Sequence, residues 1–178
     1  SELDELRKRA KRSLETTEEL IRRSRKLMRE SLDNTRRVEE KVRRLVEKTL
    51  RDLEDLKRRG VPEETLREIH KENRELIRRI EKYLEEDLRR SRELVKESKK
   101  RSKDDLDRSR DLVRRLVRGR EMEETAREAI ERNRKLVEDN ERDLKKAIED
   151  NEKLVRDLKR ELERSDEEIK KLIREVKN

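Results

Sequence analysis

Steps of three and four residues carry one stripe along almost the whole chain, and this repeat most narrows what it can fold into. The first stretch of the stripe runs Leu3, Leu6, Ala10, Ser13, Thr17, Leu20, Ser24, Leu27 and Ser31. It continues with small drifts through Thr35, Val38, Val42, Leu45, Thr49, Leu53 and Leu56. A second run passes through Leu66, Ile69, Asn73, Leu76, Ile80, Leu84, Leu88, Ser91, Leu94, Ser98, Ser102, Ser109, Leu112 and Leu116. A third passes through Ala126, Ile130, Asn133, Leu136, Asn140, Leu144, Ala147, Asn151, Leu154, Leu158, Leu162, Ser165, Ile169, Leu172 and Val176. A period near 3.5 residues describes helices that pack side by side with left-handed supercoiling.

Composition alone points elsewhere. Charged residues make up 58% of the chain and hydrophobic residues 28%. Such a balance usually leaves too little apolar area to fold. A helical bundle escapes that argument, because a thin apolar stripe on each helix suffices. A disordered chain has no reason to hold the register of the stripe.

Gly60 and Gly119 are the only glycines and Pro62 the only proline, and they divide the chain into near-equal thirds. In RRGVPEET, Gly60 suits the left-handed position past a helix end, and Pro62 suits the first turn of the next helix. Glu63 and Glu64 suit the positive end of that helix. The second break, VRGREMEET, repeats the pattern without proline. The expected helices are about 2–59, 62–118 and 121–177, each roughly 85 Å long at 1.5 Å per residue. Short breaks make neighbours antiparallel. The expected fold is all-α: an elongated, antiparallel three-helix bundle forming a single domain over 1–178.

Asparagine is a mediocre helix former, yet Asn133, Asn140 and Asn151 fall on the apolar stripe. Folding the chain at its breaks puts residues level when their numbers sum to about 121 across the first turn and about 240 across the second. Asn133 then stands near Ser109 and Ser13, Asn140 near Ser98 and Ser24, and Asn151 near Ser91 and Ser31. Asn73 stands near Thr49 and Ser165. Each expected layer holds one amide and two hydroxyls. An amide offers two donors and an acceptor oxygen, and a hydroxyl both donates and accepts. Buried without partners, such groups cost free energy, so the layers favour one register over others. Apolar layers such as Leu45, Leu76 and Leu162, or Leu53, Ile69 and Leu172, are expected between them.

These features resemble computationally designed helical bundles with buried hydrogen-bond networks. The carriers are three near-equal helices, the GVPEE turn, exposed faces filled with Arg, Lys, Glu and Asp, and the layers typified by Ser24, Ser98 and Asn140. The resemblance covers the whole chain and implies a scaffold, a switch or an assembly component rather than an enzyme. Spectrin-like natural repeats are similar in shape but usually carry aromatic core residues. Here Tyr83 is the only aromatic residue.

Chemical motifs are scarce. With no cysteine there are no disulfides or thiolate sites. His70 is the only histidine, so no Ser-His-Asp triad can use a second one, and Arg67 stands where a di-metal bundle would want glutamate. His70 is expected to border the Asn73 layer. Glu85, Glu86 and Asp87 read as solvated carboxylates, while Asp87 and Asp105 lie near the stripe, roughly level with Asn34 and Thr17. No catalytic residue, metal ligand or cofactor site is expected. No apolar run is long enough to span a membrane, and SELDELRKRAKR has no signal-peptide core. The net charge of +8 is a small surplus within a dense mixture of signs. Basic runs at 7–12, 96–103 and 112–120 suit only nonspecific, salt-sensitive contact with nucleic acid. The expected state is a soluble monomer needing no partner, with a designed oligomer as the alternative. Nothing in the sequence specifies a compartment.

Overall fold

A computed structural model describes residues 2–116 and 120–177. Three helices account for nearly all of them: α1 (Glu2–Arg59), α2 (Glu63–Leu116) and α3 (Arg120–Lys177). The described residues contain no strand. Gly119 and the expected end of α2 at 118 lie outside the described residues.

The first turn follows from its residues. Gly60 takes φ = 69°, where a Cβ would be strained, and its N–H donates to Leu56 O at 3.2 Å. Pro62 lies just before the helix rather than in its first turn. Its carbonyl accepts from Thr65 N at 3.1 Å and Leu66 N at 3.3 Å, which makes it the capping residue. Lys57, Arg58 and Arg59 close α1, and Glu63 and Glu64 open α2. Each charge complements the helix end it occupies.

Contacts gather into two compact units. Unit 1 comprises Ser1–Glu30 with Arg90–Ile148, and unit 2 comprises Ser31–Arg89 with Glu149–Asn178. In unit 1, Ser13 meets Ser109 and Ser24 meets Ser98, so α1 and α2 run antiparallel there. Thr17 meets Asn133 and Arg25 meets Asn140, so α1 and α3 run parallel. Unit 2 has the same arrangement. Arg74 meets Asp166 and Glu85 meets Lys159 between antiparallel α2 and α3, while Ser31 meets Asn151 and Lys57 meets Glu175 between parallel α1 and α3.

In unit 2, one apolar cluster joins Val42, Ile77, Leu84, Val155, Leu158 and Leu162, and a second joins Leu53, Leu66, Ile169 and Leu172. In unit 1 the buried apolar side chains include Ile21, Met28, Leu106, Val137 and Leu144. Some residues assigned to the stripe are displaced by a neighbour. Ile77 is buried while Leu76 is 36% exposed, Val137 is buried while Leu136 is 43% exposed, and Met28 is buried while Leu27 is 37% exposed. Val155 is buried and Leu154 only partly so. In place of the expected Leu45–Leu76–Leu162 layer, Leu162 clusters with Val42 of α1 and Ile77 of α2. A helix of 3.6 residues per turn falls about 20° behind a strict seven-residue repeat at each heptad. The inward position consequently walks to the next residue, and apolar doublets let the core follow it. In the other layer, Leu66 is buried in place of half-buried Ile69.

Candidate functional site: the buried polar layers

Polar side chains occupy core positions in both units. Thr17, Ser24, Ser98, Ser102, Asp105, Ser109, Asn133 and Asn140 are buried in unit 1, with Ser91. Ser31, Thr35, Asn151, Ser165 and Asp166 are buried in unit 2.

Unit 1 holds two linked sets. In the first, Ser13 Oγ and Ser109 Oγ lie 2.5 Å apart, and Ser13 Oγ donates to Asp105 Oδ1 at 3.3 Å. Thr17 Oγ1 donates to Asp105 Oδ2, and Asn133 Nδ2 reaches Thr17 Oγ1 at 3.5 Å. Asn133 thus meets the hydroxyl one helical turn beyond Ser13, its expected partner. In the second, Ser24 Oγ and Ser98 Oγ lie 2.6 Å apart, and Ser24 also reaches Leu20 O at 2.8 Å. Asn140 stands beside this pair, but its Oδ1 accepts from Arg25 Nε at 3.2 Å. The serine pair is satisfied without the amide.

In unit 2, Ser31 Oγ donates to Asp87 Oδ2 at 3.0 Å and lies 3.5 Å from Asn151 Nδ2. Thr35 Oγ1 donates to Ser31 O at 3.1 Å. The fourth expected layer is not joined. Ser165 donates to Leu162 O of its own helix at 2.9 Å, Thr49 and Asn73 are only half-buried, and Asn73 Nδ2 has no partner. Thr49 and Asn73 instead line a groove of about 420 Å³ with Leu53, Leu56, Ile69 and Ile169.

Beside that layer stands a charge cluster that the stripe did not indicate. Asp166 is fully buried. Its carboxylate lies 3.1 Å from His70 Nε2, 3.3 Å from Arg74 Nη1 and 3.6 Å from Lys170 Nζ. The histidine contact is an approach rather than a directed hydrogen bond, since neither His70 Nε2 nor Asp166 Oδ1 has a hydrogen-bond partner. Arg74 also reaches Glu163 at 3.2 Å. Burial works against the Arg74 charge, but Glu163 and Asp166 outweigh it and hold the guanidinium pKa above its ordinary value. Burial pushes the Glu81 carboxyl up, and neighbouring Glu163 pushes it further, against the pull of Lys159 and Arg74. One turn on, Lys159 holds the Glu85 carboxyl below the usual range. The signal for this cluster was available in sequence: His70, Arg74 and Asp166 come level at the expected α2/α3 register. It was missed because charges flanking a stripe are so common here.

Chemically, these groups link side chains of neighbouring helices at fixed levels. Among the described residues no group of three or more His, Cys, Asp or Glu side chains is placed to hold a metal ion. No described helix is long and apolar enough to cross a membrane. The fold is a three-helix bundle with hydrogen-bonded serine, threonine, asparagine and aspartate in its interior.

No family model and no curated protein matches the chain. Among solved structures it is similar to one described as a "Computationally designed three helix bundle". The match has 18% identity, covers 98% of this chain and 88% of that one, and has a TM-score of 0.35.

Proposed function

We propose that the chain is a designed structural scaffold that works as a monomer and whose buried polar layers select one helix register. The observation that carries this reading is the pairing of Ser13 with Ser109 and Ser24 with Ser98, hydroxyl to hydroxyl across α1 and α2. A hydrocarbon core tolerates sliding by a heptad. A hydroxyl pair tolerates it less, because a slip that sets a hydroxyl opposite hydrocarbon removes a cross-helix bond worth about 0.5–1.5 kcal/mol. The near-strict repeat, two glycines and a single aromatic residue support a designed origin.

A second reading, a subunit of a designed oligomer, is favoured by Leu76 and Tyr83. They lie seven residues apart on α2 and are 36% and 46% exposed. Light scattering coupled to size-exclusion chromatography tests both. A mass near the 22.0 kDa of one chain supports the scaffold. An integer multiple that survives dilution supports the subunit and overturns the monomer.

A further inference from the structure

Two carboxylates are buried in the polar core, and their surroundings differ in kind. Asp166 has Arg74, Lys170 and His70 around it. Asp105 is 9% exposed and receives only hydroxyl donors, from Ser13 and Thr17. Among the described residues no cation pairs with it. Buried charges are ordinarily paired or bound to a metal ion.

Donors are also short in this layer. The single Thr17 proton is shared between Asp105 Oδ2 and Ser13 O, and the Ser109 hydroxyl lies within reach of both Asp105 O and Ser13 Oγ. Asn133 is 1% exposed, and among the described residues its Oδ1 has no hydrogen-bond partner. Its Nδ2 touches Thr17, which keeps the amide in this same layer. A carboxylate without a counter-charge and an acceptor without a donor therefore stand together.

We propose that Ser13, Thr17, Asp105 and Asn133 form a site for one small monovalent hard cation of sodium's class, ligated entirely by oxygen. A cation supplies positive charge to Asp105 and is ligated by Asn133 Oδ1 in one step. Hydroxyl oxygens ligate through a lone pair and keep their protons for the carboxylate. One carboxylate balances one charge, whereas a divalent ion would leave a buried excess. Water would satisfy Asn133 but not neutralise Asp105.

The test compares thermal unfolding in sodium chloride with unfolding in tetramethylammonium chloride at equal ionic strength. Screening is then the same, and only the small cation fits. The expected result is a higher midpoint in sodium that saturates as sodium rises. The difference should vanish in Asp105→Asn and persist in Asp143→Asn, which removes an exposed carboxylate. Equal midpoints in the two salts overturn the proposal, as does an undiminished sodium effect in folded Asp105→Asn. If Asp105→Asn does not fold, sodium-23 relaxation of the unaltered chain decides. Saturable broadening at one site per chain is expected, and its absence overturns the proposal.

Discussion

Arg25 donates from Nε to the buried Oδ1 of Asn140 at 3.2 Å while its Nη2 reaches Asp143 at 3.0 Å. One partly exposed guanidinium thus spans a turn of α3 and satisfies a core amide from the edge of the bundle. Removing the amide strands nothing in the interior, because Arg25 keeps Asp143 and water. We predict that Asn140→Leu stays within about 1 kcal/mol of the parent. Ser24 and Ser98 depend on each other instead. A double-mutant cycle with alanine at both positions should give a coupling of about 0.5–1.5 kcal/mol. Urea midpoints check both. A loss at Asn140→Leu larger than that at Ser24→Ala would contradict the pairing.

Asp166 and Arg74 predict an asymmetry. The carboxylate is fully buried, whereas Arg74, His70 and Lys170 keep 29%, 26% and 43% side-chain exposure. If the carboxylate goes, the cations can turn to water. If Arg74 goes, the carboxylate cannot. Arg74→Met should therefore cost more than Asp166→Leu, on the order of 3 kcal/mol because it leaves a buried charge under-compensated. Chemical denaturation of the two variants measures the difference, and the reverse order would sink the argument.

Glu81 and Glu85 should bend the pH dependence of stability in opposite directions. The Glu81 pKa is raised in the folded chain, chiefly by burial. Its stabilising contribution is therefore complete below the unfolded value and lost as pH rises through the folded one. The Glu85 pKa is lowered by Lys159, so its contribution is present above the unfolded value and lost as pH falls through the folded one. Glu81→Gln should abolish a decline in stability just above the ordinary glutamate range, and Glu85→Gln a decline just below it. Unfolding midpoints measured from neutral pH down to below the ordinary glutamate range check the signs.

Asn73 offers a gain. Its Nδ2 is buried without a partner and sits among Leu53, Leu56, Ile69 and Ile169. Replacing an unpaired amide by hydrocarbon removes a desolvation penalty and adds apolar contact in the groove. Asn73→Leu should stabilise the chain by about 1–2 kcal/mol, read as a raised urea midpoint. A loss of stability would mean that Asn73 has a partner after all, and the fourth layer would be reinstated.

The periodic stripe determined three helices, and Gly60 and Pro62 determined where the first turn falls. Both are local matters: a repeat near 3.5 residues and a positive φ are properties of neighbouring residues. Sequence also brought Ser13 to Ser109 and Ser24 to Ser98, because one short turn sets the α1/α2 register within a residue. Tertiary structure alone decided the rest. Whether Leu76 or Ile77 turns inward depends on the drift between 3.6 residues per turn and a seven-residue repeat. Whether Asn140 bonds serine or arginine depends on which donor the cross-section leaves free, and Ser24 and Ser98 already bond each other while Arg25 reaches in from the edge. Asp166 entered the core because Arg74 and His70 come from α2 to meet it, and Asp105 did so with hydroxyls alone. Burial and pairing belong to the assembled cross-section, where residues from three separate helices compete for the same few ångströms.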